Sequence, residues 1–580
     1  MATATPFENQ FRGTDFVGRH NELAELRAGL DRTTAGHTQI FLLGGEPGIG
    51  KTRIANEIAS VADQYGMRVA WGICCEGAGA PAYWPMIQVA RSLLARTDAP
   101  GLLTRAGPGA SQIARLIGDY GPESVPAAGL PDEPEQARFR LFDGFASLLS
   151  AYAETRPLLV VLDDLQDADP TSWLMLRYIA RELHDVPLMI AVAYRDVETR
   201  RQPIATQVIS DLLRTGRQIL LSGLSESEVA EMVEKSAGHA ADRRFVAELH
   251  RTTGGNPFFV TEVVRTLAGN GALKRAARDE SAAPIPESLR TSIRARLGAL
   301  SARANSILAG AAALGSEFDL VALQRLTGAP LDEILRVLDL AGSAAIAVQV
   351  EEGRTRYRFV HSLIREVLHR DLDDATRMEL HRKIVGVLED LYRAEPDRHV
   401  DELAYHSMRS AQAGLADKAI DYSIRAGEAA YAAFAYEKSA RHWREALTLM
   451  EEQSAEPLKL ARLLERLSDA LSITEVETPT GIDCLERALR LYESAGRTLE
   501  AAHAHAQLAV MLSTRAPSMN IQRALREYRN AEQVLGKAVE SESQVWLYNG
   551  LAQAAMQAQH TAEEMAASRR GMEVAAHLGR

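Results

Sequence analysis

Gly45-Glu46-Pro47-Gly48-Ile49-Gly50-Lys51-Thr52 fits the pattern G-x-x-x-x-G-K-[ST] at every fixed position. Such a loop holds phosphates. Its glycines permit backbone angles that turn N–H groups inward, and Pro47 and Ile49 are counted with Gly45, Gly48 and Gly50 as nucleotide-binding residues. Lys51 would reach the β- and γ-phosphates, and Thr52 would offer a hydroxyl to Mg²⁺. About 110 residues later, Leu158–Leu162 runs into Asp163-Asp164, an apolar run ending in two carboxylates. This reads as a Walker B strand: Asp163 would hold Mg²⁺ directly or through water, and Asp164 would polarise an attacking water. A third apolar run, Leu188–Tyr194, ends in Arg195, placed to distinguish triphosphate from diphosphate by charge. Each has a plainer alternative. Asp164, Asp167 and Asp169 could cap a helix, and Asp169 before Pro170 reads as such a cap. Arg195 could be a surface arginine paired with Asp196 or Glu198.

These groups meet only if strands and helices bring them together. Residues up to about 222 alternate short β-rich runs with amphipathic helices. The strand candidates are Gln39–Leu43, Arg68–Cys74, Leu158–Leu162, Leu188–Tyr194 and Gln218–Leu221. Short apolar strands between helical stretches predict a parallel sheet covered on both faces. The loop follows the first strand and opens a helix over Thr52–Ala62, whose N-terminus adds partial positive charge. The stretch from Ala99 to Pro134 is rich in Pro and Gly and reads as irregular.

Beyond about residue 223 the pattern is helical, except for Ala344–Gln349 and Arg356–Val360, two β-like runs around Glu351-Glu352-Gly353. Helices, a hairpin and a further helix form the order of a winged-helix module. From about 376 a motif recurs. Trp443-x-x-Ala446 returns as Leu485-x-x-Ala488, Tyr528-x-x-Ala531 and, more weakly, Ser568-x-x-Gly571. The small residues lie 42, 43 and 40 positions apart. A large residue followed three positions later by a small one lets two helices approach closely. A period near forty suits stacked helical hairpins resembling tetratricopeptide repeats in a longer form.

Composition bounds the function. The 580 residues suggest about four domains. A formal net charge of −12 argues against a surface that grips nucleic acid or anionic membrane throughout. Three cysteines, Cys74, Cys75 and Cys484, make no disulfide framework for so long a chain, so a reducing compartment is expected. With neither a signal-peptide pattern nor an apolar run of membrane-spanning length, the expected location is the cytoplasm, with no membrane partner.

These motifs together resemble the STAND class of signal-transducing ATPases, and more narrowly the large ATP-binding regulators of the LuxR type, relatives of the bacterial maltose activator. The resemblance runs from Phe16 to the chain end. Phe16-Val17-Gly18-Arg19 is similar to the family's opening motif, which implies that Val17, Gly18 and Arg19 border adenine; the family continues with Glu where this chain has His20. Gly45–Arg53 matches the family's P-loop, Arg53 included. Ala80–Pro85 is similar to a segment of these regulators. Leu162–Pro170 resembles their Walker B segment, with Asp167 where an aromatic residue is usual, and Ala193-Tyr194-Arg195 resembles their sensor. Gly254-Gly255-Asn256-Pro257 resembles the G-x-P motif of a helical lid, implying that Pro257 packs on the base. Arg358–Arg365 is similar to the end of the family's winged-helix domain, implying that His361 approaches the β-phosphate in the closed state. The alternative for His361 is a helix-start histidine satisfied by backbone.

The resulting expectation is an α/β P-loop (AAA+/STAND) domain over 1–222, an all-α lid over 223–289, a winged-helix domain over 290–375 and an α-solenoid of TPR-like repeats over 376–580. ATP, ADP and Mg²⁺ are the expected ligands, with slow hydrolysis resetting a switch. A small-molecule or protein signal would act on the repeats, and the ATP state would self-associate. Much of the family carries a C-terminal helix-turn-helix that this sequence does not include. This chain alone is therefore expected not to bind DNA specifically, as the front part of a longer regulator. Two rivals stand beside this reading: a continuously working AAA+ remodelling ATPase, and a scaffold that binds nucleotide without hydrolysing it.

Overall fold

The computed structural model describes residues 16–74, 79–95, 97–118, 134–237, 242–269, 288–350, 355–474, 478–514, 519–535 and 542–578. The chain divides into two compact units, residues 1–413 and 414–580. The hairpin turn Glu351-Glu352-Gly353, Cys75, and parts of the expected lid lie outside the described residues.

The first unit opens with α1 (His20–Thr34) and β1 (Gln39–Gly44), followed by α2 (Lys51–Gln64) and β2 (Arg68–Ile73). Then come α3 (Pro134–Ala153), β3 (Leu158–Asp163), α4 (Pro170–Glu182), β4 (Leu188–Tyr194) and β5 (Arg217–Leu220). All five expected strands form, within one or two residues at their ends. They make one parallel sheet in the order β2-β3-β4-β1-β5. Every residue of β3 and β4 is buried, as a sheet covered on both faces requires. Phe41, Leu43, Ile54, Ile58, Leu159, Val161 and Ala191 form the core between the sheet and the helices around it. Register sets Gly44 beside Tyr194 and Leu162 beside Val192, so the ends of β1, β4 and β3 lie side by side along one edge.

The stretch from Ala99 is not irregular as far as it is described. Ala99–Arg105 and Ala110–Ile117 are helices joined by a 3₁₀ turn at Gly107–Gly109. Pro100 and Pro108 each sit in the first positions of a helical turn, where a missing N–H costs nothing. Buried Leu103, Ile113 and Ile117 supply the apolar face that a turn-rich composition masked.

Three helices follow the sheet: α5 (Glu226–Ala237), α6 (Arg243–Thr253) and α7 (Pro257–Gly269), packed around Val229, Leu249 and Val263. Then come α8 (Leu289–Gly298), α9 (Ala302–Leu314), β6 (Glu317–Asp319), α10 (Leu320–Thr327), α11 (Leu331–Ser343), β7 (Ala347–Gln349), β8 (Arg356–Phe359) and α12 (Ser362–Arg370). The two expected hairpin strands are present, shorter than anticipated, and pair antiparallel. A third strand, β6, pairs with β8 to give the order β6-β8-β7. At three residues β6 is too short to leave an alternation in the sequence.

The helices Asp374–Leu391 and Val400–Arg409 complete this unit, the former packing on α9 and α10. The division after Ala413 therefore differs from the expected start of the repeats at 376. In the second unit, helices from Ala416–Ala432 to Thr561–His577 pack each against the next. Trp443, Leu485 and Tyr528 are buried, and Ala446, Ala488 and Ala531 are fully so, all on alternate helices. The recurring large and small residues thus mark helix contacts. Among the described residues no helix is long and apolar enough to cross a membrane.

Candidate functional site

The loop between β1 and α2 bends through left-handed backbone at Gly48 (φ +80°) and Gly50 (φ +104°). A Cβ at Gly48 would lie 2.9 Å from Phe258 Cβ, so glycine there also admits α7 against the loop. Helix α2 begins at Lys51, and its first N–H groups have no partner within the helix. Lys51 is 7% exposed, and its Nζ donates to Gly45 O (2.9 Å) and Glu46 O (2.8 Å). Burial lowers its pKa to about 8, with Arg195 adding to the effect against the opposing pull of Asp164 and Asp163.

Across the sheet edge, Thr52 Oγ1 donates to Asp163 Oδ2 over 2.8 Å. Asp163 is 2% exposed, and burial, then the neighbouring Asp164, raise its pKa. Asp164 has a left-handed backbone (φ 52°), and its N–H donates to Asp163 Oδ1 (3.1 Å). β4 lies between β1 and β3, so the residue that follows it stands between the loop and the two carboxylates. That residue is Arg195, only 8% exposed. It is no surface arginine, although Glu198 lies 3.6 Å away. Its Nη2 donates to Ser362 Oγ at the start of α12 over 2.7 Å.

The structure brings α7 and α12 to the same loop. Phe258 N donates to Gly48 O (3.2 Å) and Asn256 Nδ2 to Pro47 O (3.0 Å). Asn256 Oδ1 in turn accepts from Phe258 N and Phe259 N, capping α7. Pro257 opens α7 between these two tethers. The ring of His361 stacks on Phe258, centroids 4.0 Å apart. Its Nδ1 accepts from Leu363 N (3.1 Å), the helix-start contact foreseen as the alternative, which leaves the proton on Nε2. Burial, then the charges of Arg195, Lys51 and Arg296, hold its pKa down to about 3.

Arg19 also holds the loop, and Gly18 lies against Glu228, where a Cβ would fall 2.0 Å from its Oε1. Arg19 N donates to Glu228 Oε1 on α5 (3.2 Å), while Nη2 donates to Ile49 O (3.2 Å) and Ser222 O. Arg19 thus ties the loop to the strand end and to α5, with Val17 half-buried before it. Arg53 pairs with Glu57 (2.9 Å) and lies over the Phe16 ring. Asp169 is the cap that its place before Pro170 suggested, accepting from Ser172 N (3.1 Å). It also accepts from Tyr83 N (3.0 Å), which gives the Ala80–Pro85 segment a structural task. The sequence reading missed Gln166, Asn256, Ser362 and Glu228 as contributors. Of these, only Asn256 before a proline carried a local signal, that of a helix cap.

The donor set fits phosphate and a hard cation. A buried lysine and the N-terminus of α2 face one loop, and a threonine hydroxyl and a carboxylate already converge as oxygen ligands. Among the described residues no group of three His, Cys, Asp or Glu could hold a metal by itself. Mg²⁺ characteristically takes one or two protein oxygens plus phosphate and water.

Residues 15–191 match the family model described as an AAA ATPase domain. An uncharacterized protein of Rhizobium meliloti (strain 1021) is 25% identical over 509 residues, covering 83% of this chain and 47% of its own length. The chain thus spans about half the length of that curated relative. Among solved structures, the Signal Transduction ATPase with Numerous Domains (STAND) protein with a tetratricopeptide repeat sensor from Pyrococcus horikoshii is 14% identical. The match covers 96% of this chain and 83% of that one, with a TM-score of 0.41. The Aeropyrum pernix ORC2 protein is 16% identical over 62% of this chain and 96% of its own, with a TM-score of 0.29. The chain carries a P-loop, AAA-type α/β domain followed by many helices.

Proposed function

We propose that this chain is an ATP- and ADP-dependent switch of the STAND type, acting in signal-responsive transcriptional regulation of the LuxR kind. The observation that carries the reading is the bond from Arg195, at the phosphate edge of the sheet, to Ser362, at the start of α12. Helices α5–α7 act as the lid. The segment α8–α12, over most of residues 290–375, acts as a winged-helix arm, its helices and three-stranded antiparallel sheet following that module's order. The helices of residues 414–580 act as a TPR-like sensor for a small molecule or a protein.

Lys51 holds the β- and γ-phosphate oxygens, and Thr52 with Asp163 would hold Mg²⁺, which supplies charge neutralisation there when bound. Asp164 takes a proton from water as that water's oxygen bonds to the γ-phosphorus and the bond to the ADP oxygen breaks. Arg195 can pass from Ser362 in the closed arm to a γ-phosphate oxygen. ADP leaves it on Ser362; ATP competes for it and loosens the arm. A signal that binds the open form more tightly shifts the same equilibrium, the open form self-associates, and hydrolysis restores the closed one.

Nucleotide binding and turnover by the purified chain test this. Lys51→Ala should abolish binding of ATP and ADP, whereas Asp164→Asn should bind both and lose hydrolysis. Hydrolysis at the parent rate by Asp164→Asn would remove the basis of the reading.

A further inference from the structure

Gln166 lies in the 3₁₀ turn Leu165–Asp167, directly after the two carboxylates, and is 3% exposed. Its Nε2 donates to Asp164 Oδ1 (2.9 Å) and to Asp167 Oδ2 (3.0 Å). Its Oε1 accepts from the backbone N–H of Arg195 (3.0 Å). Its own carbonyl accepts from Gln202 Nε2 (2.7 Å). Only this orientation of the amide satisfies all its neighbours: turned over, its oxygen would face two carboxylates and its NH₂ would face an N–H. One buried side chain therefore touches the residue that activates water and the residue that reads the third phosphate.

Asp164 needs such a restraint. Its left-handed backbone is uncommon for a residue with a side chain and is held only where neighbours over-determine it. The bond from its N–H to Asp163 fixes the backbone side, and the bond from Gln166 fixes the carboxylate. With Oδ1 occupied by Gln166, Oδ2 remains to accept a proton from water.

We propose that Gln166 is a positioning residue for hydrolysis, orienting Asp164 toward water and setting the backbone of Arg195 at the same time. This rests on the hydrolytic reading given above. Among the described residues no hydrogen bond joins Gln166 to Lys51 or Thr52, so its loss should act on turnover and spare ADP affinity.

The test uses the full chain with Mg²⁺-ATP and Mg²⁺-ADP. Gln166→Met removes all three side-chain bonds. Gln166→Glu keeps an oxygen for Arg195 N–H but sets a carboxylate against Asp164. Both should lower kcat on the order of ten- to a hundredfold, the scale of one charge-assisted hydrogen bond, with Kd for ADP within about twofold of the parent. In an Asp164→Asn background, where only a residual rate read in single-turnover assays is left, Gln166→Met should lower that residual rate no further, because the two act as one unit. Unchanged kcat in either variant overturns the proposal. So do losses that multiply in the double variant, or kcat and ADP affinity falling together, which mark a residue that merely supports the fold. A parent chain that binds ATP without hydrolysing it overturns the hydrolytic reading itself, and this inference with it.

Discussion

The imidazole of His361 lies almost flat on the ring of Phe258, the two planes 16° apart, so the first residues of α7 and α12 share one contact. Stacked aromatic pairs contribute about 0.5–1.5 kcal/mol beyond the area they bury. Phe258→Ala should therefore loosen α12 from the loop while Asn256 still anchors α7. Hydrogen exchange across residues 361–370 should rise by several fold. Equal exchange in parent and variant would show that the stack restrains nothing.

His361 itself should discriminate between nucleotides. With Nδ1 accepting from Leu363 N, Nε2 carries the proton available to a phosphate. Losing such a bond costs on the order of 1.5–3 kcal/mol, or about tenfold or more in affinity. His361→Ala should weaken ADP more than ATP and drift toward the self-associated form, whereas Pro257→Ala should weaken both nucleotides alike. An unchanged ADP-to-ATP ratio and solution mass in His361→Ala would leave His361 a helix cap and no more.

Lys51 sets a pH limit on binding. Burial holds its pKa near 8, and only the ammonium form attracts phosphate. Bound phosphate favours that form, so Lys51 titrates higher in the complex than in the free chain. Affinity should be level up to about pH 8 and then fall, by at most about tenfold per pH unit. Lys51→Arg, charged throughout, should flatten the curve even where binding is weaker. Constant parent affinity from pH 7 to 9.5 would contradict the buried environment assigned to this lysine.

A second pH effect lies away from the loop. His381 Nδ1 and His406 Nδ1 are 2.8 Å apart, beside His369 and Tyr405. Burial, then Arg409, His369, Arg365 and Arg377, hold the pKa of His381 to about 3. An unfolded histidine titrates near 6.5, so below that pH the unfolded chain takes up a proton that the folded one refuses. The contribution is full above pH 6.5 and declines through the window from 6.5 to about 3, by up to about 1.4 kcal/mol per pH unit. In urea unfolding between pH 6.5 and 5, His381→Phe should lose stability less steeply than the parent. Parallel slopes would contradict the refusal of that proton.

In the second unit, a Cβ on Gly427 would fall 2.2 Å from Trp443 Nε1, whose indole donates to Ile424 O. Gly427→Ala should destabilise that unit by about 1–3 kcal/mol, the cost of overpacking, read as a lower thermal midpoint. A midpoint at or above that of the parent would mean that the helix pair has room to spare.

The loop, the acidic strand end and the five strands were legible because each is written in consecutive residues. Gly48, Lys51 and Thr52 announce a phosphate loop without reference to anything distant, and β3 and β4 are uninterrupted apolar runs. Gln166 and Ser362 carry no such mark: their roles arise from Arg195, 29 and 167 positions away. The helices between Ala99 and Ile117 were hidden for another reason. Proline and glycine counted as breakers there, although their positions at helical starts make them compatible with the turns they occupy.

His361 and Ser362 are consecutive, yet one rests on α7 and the other bonds to the end of β4. Because the two residues are joined by one peptide bond, a movement of α12 that breaks one contact strains the other. Departure of α12 is thereby concerted: half-released chains should be scarce, and any population of this protein should sort into two classes rather than a continuum.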